Sequence, residues 1–139
     1  MEVIVNTNRL IAALLKDSAS RRIIFSGKAG LYTLEFGKKE VQKHRGYILK
    51  KARISSETFD GLMDSILDKL VVVSENEVKP QAYAKAREAM GRVDPDDVPF
   101  LALALSVEND GIWTEDKHFL RQTLAETWST ARLCKRLGL

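Results

Sequence analysis

Short, continuously apolar segments alternate along this chain with segments of helical periodicity, and that alternation leaves few folds open. Glu2–Val5 reads as a strand, and Leu10, Ile11, Leu14 and Leu15 line one side of the helical stretch after it. Ser20–Ser26 reads as a short helix ended by Gly27, Gly30–Leu34 as a strand, and Phe36 to about Ala52 as a helix. Ser55 or Ser56 caps another helix, in which Phe59, Leu62, Met63, Ile66 and Leu70 keep the helical spacing. Leu70–Val73 is a strand by its β-branched content, and a helix around Ala82–Met90 stops at Gly91. The segment VDPDDVPFLALALSVEN starts a further helix, and Gly111–Thr114 supplies a strand. Trp128 lies in a short last strand before a closing helix at Ala131–Leu137. Strands that are apolar throughout need cover on both faces, so the pattern predicts an α/β fold with a parallel sheet between helices.

At 139 residues the chain fits one domain, 1–139, and can bury a proper core. Its 45% hydrophobic and 29% charged residues are ordinary for a globular protein. The opening MEVIVNTNRL has no basic region, apolar stretch and cleavage site in series, so no signal peptide is expected. The longest apolar run, Val98–Val107, is interrupted by Ser106 and is too short to span a bilayer. A cytoplasmic protein with no membrane partner is therefore expected. The lone Cys134 cannot form an internal disulfide, and with His44 and His118 the only histidines, a zinc centre is not expected. A net charge of +3 is compatible with a polyanionic partner without requiring one.

In open parallel sheets the site forms beyond the carboxyl ends of the strands, so the residues just after each strand matter most. After the first come Asn6, Thr7 and Asn8; after the second comes the helix carrying Glu40. Around the fourth come Asp94, Asp96 and Asp97, then Glu115 and Asp116. No Gly-rich loop follows the first strand, which excludes dinucleotide and P-loop phosphate binding. An aspartate-nucleophile phosphatase needs Asp where Asn6 stands, and no Gly-x-Ser-x-Gly elbow is present. Carboxylates with amide and hydroxyl neighbours remain, a set suited to Mg²⁺ or Mn²⁺. Each acid also has a structural reading: Asp94 before Pro95 as a helix cap, Asp116 as a cap, Glu40 as a solvated helix residue among Lys38, Lys39 and Lys43.

Together these residues resemble the PIN-domain family of small metal-dependent ribonucleases, common as prokaryotic toxins. The match is carried by VIVNTNRLIAALL, by LEFGKKEVQKH, and most specifically by DPDDVPFLALAL with IWTEDKHF. The resemblance implies a three-layer domain with a central parallel sheet of about five strands, frequent homodimers, and Mg- or Mn-dependent hydrolysis of RNA. On it, Glu40, Asp97 and Asp116 are the catalytic acids and metal ligands, joined by Asn6 through its amide oxygen. Asn8 and Thr114 would orient these ligands. Asp94 and Asp96 are either outer ligands or plain helix-start residues, the second being preferred. A protein antitoxin is an implied partner.

The family's usual first Asp is here Asn6. Carboxylates about 5 Å apart repel by roughly 3 kcal/mol per pair at an effective dielectric near 20, so the change eases folding of the empty site and weakens its hold on a cation. Slower cleavage by the same chemistry is expected. The alternative is a silenced PIN-like module that binds RNA or a protein partner. For the RNA path the sequence offers Arg9, just past the first strand, and Lys39 and Lys43 from the basic stretch Lys38–Arg53.

Overall fold

Val3 and Val5 are buried on one side of the sheet and Ile4 on the other. A strand apolar on both faces has to lie inside, and this one, β1 (Glu2–Val5), is the central strand. The computed structural model describes residues 1–139. The other strands are β2 (Gly30–Leu34), β3 (Val71–Val73), β4 (Ile112–Trp113) and β5 (Thr127–Trp128), in spatial order β3-β2-β1-β4-β5, with every pairing parallel. Eight helices surround them: α1 (Thr7–Leu15), α2 (Ala19–Ser26), α3 (Glu35–Lys43), α4 (Arg45–Ala52), α5 (Ser56–Leu67), α6 (Pro80–Met90), α7 (Val98–Ser106) and α8 (Thr130–Leu137).

Two cores result, one on each face. Val3, Val5, Leu31 and Trp113 pack with α1, α2, α4, α5 and α8, while Ile4, Leu34, Val73 and Ile112 pack with α6 and α7. The three-layer α/β fold is therefore as the alternation predicts. No helix is long and apolar enough to cross a membrane.

Two boundaries differ from expectation. The helix expected over Phe36–Ala52 is two, because at His44 (φ −98°, ψ 8°) the backbone leaves the α conformation. Its N–H is shared between the carbonyls of Glu40 and Val41, at 3.3 and 3.0 Å, which tightens the turn. Val41 and Ile48 stay buried across the break, so the apolar spacing carries no trace of it. The helix after Ser55 ends at Leu67, and Leu70 instead leads into β3. The helix start, which Pro99 leaves open in the sequence from Asp94 to about Val98, falls at Val98, after a 3-10 turn at Pro95–Asp97 that Asp94 caps.

Register sets the position of the site. Val5 pairs with Trp113, so the next residues of the two strands, Asn6 and Thr114, emerge side by side where the strand order changes direction.

Candidate active site

Asn6 N–H donates to the Trp113 carbonyl at 3.1 Å, continuing the β1–β4 ladder one residue beyond the strands. Above this junction stands Asp97, only 6% exposed, with its Oδ1 3.5 Å from Asn6 Nδ2. Asp97 Oδ2 is buried and has no hydrogen-bond partner at all. An orphaned buried carboxylate oxygen is costly unless something cationic meets it. Burial, the neighbouring Asp116 and then Asp94 push the Asp97 carboxyl up to about 8.

One ligand atom from each of Asp94, Asp97, Asp116 and His118 lies within 4.8 Å of the others. Oxygens around Mg²⁺ at about 2.1 Å are at most about 4.2 Å apart, so small side-chain movements suffice to close the set. His118 Nδ1 is 3.2 Å from both Asp94 Oδ2 and Asp116 Oδ1; facing two carboxylates, it donates. The same loop is stitched by its own backbone. His118 N–H donates to Asp116 Oδ1 at 2.9 Å, and Asp116 N–H donates to Thr114 Oγ1 at 3.0 Å.

Glu40 approaches from α3. Its Oε1 accepts from Thr7 Oγ1 at 2.5 Å, at the first turn of α1. Burial pushes its carboxyl above the ordinary value. The Thr7 hydrogen bond pulls it down, the charge of Asp96 raises it again, and His44 and Lys43 oppose that. Asp96 thus belongs to the Glu40 side of the site, and its own N–H is held by Asp94 Oδ1 at 3.1 Å.

A matching family model settles kinship: the model described as PIN domain covers residues 4–138. The chain belongs to the PIN-domain family. No curated protein matches it in sequence. Among solved structures, a chain in the crystal structure of VapBC2 from Rickettsia felis, bound to a DNA fragment from their promoter, is similar in fold. The TM-score is 0.73 at 16% identity, covering 93% of this chain and 98% of that one.

Within this PIN domain the structure brings Asn6, Asn8, Asp94, Asp97, Thr114 and Asp116 together, with Glu40 tied in through Thr7. It adds His118, whose position two residues after Asp116 was the only available signal. Asp94 caps its 3-10 turn, as its helix-start reading expects, and its carboxylate also lies within the acidic set. Arg9 is half-buried beside the site. Its Nε donates to Asn8 Oδ1 at 2.6 Å and its Nη1 to Thr130 Oγ1 at 3.1 Å and Ser20 Oγ at 3.3 Å. Lys39 and Lys43 are exposed on α3, and Lys43 lies close enough to act on Glu40. Arg45, in the same basic stretch, is engaged with Asp60 at 2.6 Å and stacks over Phe59.

Proposed function

We propose that this PIN domain is a Mg- or Mn-dependent endoribonuclease in which Glu40, Asp97 and Asp116 are the catalytic acids. The observation that carries the reading is the buried, partnerless Asp97 Oδ2 inside a set of acids. In the metal-free protein a proton balances it near neutral pH, and a divalent cation would take that proton's place. Asp94, Asp97 and Asp116 would hold that ion, with His118 donating its Nδ1–H to Asp94 and Asp116 at the edge of the set, and Glu40 is tied to the site through Thr7. When bound, the ion supplies Lewis-acid stabilisation of phosphate charge and activation of water.

The chain's own residues do the rest. Thr7 fixes the Glu40 carboxylate, and Thr114 fixes the backbone that carries Asp116. Lys39 and Lys43 give α3 an exposed positive flank beside Glu40, which steers a phosphate backbone toward the acids. RNA is the proposed substrate, the cytoplasm the proposed location, and a homodimer paired with a protein antitoxin the proposed assembly. Fold similarity to a chain of the VapBC2 complex supports the antitoxin part of this reading. Light scattering on the eluting protein measures the dimer.

A second reading, a silenced module that binds RNA or protein, is favoured by the uncharged Asn6 beside Asp97. The deciding experiment is cleavage of end-labelled single-stranded RNA with Mn²⁺, Mg²⁺ or chelator. Metal-dependent cutting that disappears in Asp97→Asn supports the nuclease; no cutting under any of these conditions supports the silenced module.

A further inference from the structure

We infer that Asn6 serves the acidic site as a hydrogen-bond donor to Asp97, held in that orientation by Arg9 through Asn8, and that its oxygen is not a metal ligand. The direction in which a carboxamide points is set by whether each neighbour can give or take a proton.

A guanidinium only donates, so the Asn8 atom 2.6 Å from Arg9 Nε has to be its oxygen. Glu115 N–H, 3.3 Å from that atom, also only donates, which fixes it a second time. The Asn8 nitrogen therefore faces the site, where it donates to Asn6 at 2.6 Å and to Thr114 Oγ1 at 3.0 Å. The Asn6 atom that receives this donation is then its oxygen, and its nitrogen is left toward Asp97. Thr114 closes the relay. Its hydroxyl oxygen already accepts from Asn8 and from Asp116 N–H, so its own proton goes to Asn6 Oδ1, 3.4 Å away.

Asn6 Oδ1 thus receives two donors and has no lone pair left for a cation. Its nitrogen supplies a weak donor where the site otherwise needs positive charge. Arg9 is a positioning residue in this scheme. Its donors reach Asn8, α2 and the start of α8, and through Asn8 it decides which end of Asn6 meets Asp97.

The metal-binding half of this inference rests on the nuclease reading, whereas the orientation half does not. Two measurements on the full chain separate them. In the metal-free protein, NMR should show Asn6 carboxamide protons with NOEs to Asp97 Hβ, and Asn8 carboxamide protons with NOEs to Thr114. Arg9→Met should weaken this pattern and Arg9→Lys restore it. NOEs that place the Asn6 NH₂ against Thr114 would overturn the orientation, and an unchanged pattern in Arg9→Met would remove Arg9 from the relay.

Calorimetric titration with Mn²⁺ then compares native protein, Asn6→Ala, Asn6→Asp and Asp97→Asn. Asn6→Ala should weaken Mn²⁺ binding only a few-fold, because a weak donor to Asp97 is lost and no ligand is, and Asn6→Asp should bind about tenfold tighter or more. A loss of about tenfold in Asn6→Ala would make the oxygen a ligand and overturn the inference. Undiminished binding by Asp97→Asn would overturn the proposed site instead, with the NMR result still deciding how Asn6 points.

Discussion

Thr7 and Glu40 are 33 residues apart in sequence, and the Thr7 hydroxyl donates to the Glu40 carboxylate at 2.5 Å. That bond joins the first turn of α1, which follows β1, to the middle of α3, which follows β2. It ties an acid of one crossover helix to the residue after Asn6, whose amide lies beside Asp97.

Thr7→Val keeps the shape of the side chain and removes the donor. The Thr7 bond is what opposes the upward push of burial on Glu40, so losing it should raise the Glu40 carboxyl further. The net worth of such a charge-assisted bond is about 1.5–3 kcal/mol. RNA cleavage near neutral pH should fall by about tenfold or more, with the acid limb of the pH–rate profile displaced upward. Thr7→Ser should retain most of the native rate.

Metal-free protein should lose stability as pH rises. The Asp97 carboxyl sits at about 8 in the folded chain, above the ordinary 3.8. Between those values the folded state binds more protons than the unfolded one, so raising pH favours unfolding. Thermal unfolding in chelator should show Tm falling from pH 5 to pH 8, by about 3 °C per pH unit for a loss of roughly 1 kcal/mol per unit. Asp97→Asn should flatten this slope and be more stable than the native chain at pH 8. Mn²⁺ should restore native stability at pH 8, since a ligand that binds only the folded state stabilises it.

Two glycines test the packing beneath Glu40. A Cβ at Gly37 would stand 3.1 Å from both Phe100 Cζ and Thr33 Oγ1, and 3.3 Å from Thr7 Oγ1. Gly37→Ala should therefore shift α3 and cost about 1–2 kcal/mol of stability, with a larger proportional loss of cleavage. Gly46 in α4 has nothing within 4 Å of such a Cβ. Gly46→Ala should stabilise the chain by about 0.5–1 kcal/mol and leave cleavage unchanged. Denaturant unfolding and RNA assays on the two variants read both effects.

Lys39 and Lys43 are exposed on α3, Lys43 within reach of Glu40's charge. If RNA runs along this flank, reversing both to Glu should reduce the slope of log affinity against log salt by about 0.7 for each phosphate no longer neutralised. Binding of a labelled RNA across a salt series measures it, and an unchanged slope would move the RNA path elsewhere.

The layering of this protein was legible in its sequence because burial on both faces leaves an unbroken apolar strand, as in VIV at residues 3–5. The acids were legible because they follow strands or open helices, at the end of the sheet where parallel folds place their chemistry. The break at His44 was not legible, since Val41 and Ile48 keep their apolar spacing across it. Nor were Arg9's hydrogen bonds to α2 and α8, which its place just past the first strand does not announce.

Residue types and their local order thus determined the α/β layers, the supply of carboxylates and the uncharged Asn6. The tertiary structure decided which acids lie together, that His118 joins Asp94 and Asp116, and which end of Asn6 faces Asp97. The physical reason is range. Periodicity and capping act within a few residues, whereas donors and acceptors are matched across 91 residues between Asn6 and Asp97 and 108 between Asn6 and Thr114. Only the folded sheet brings those groups within reach of one another.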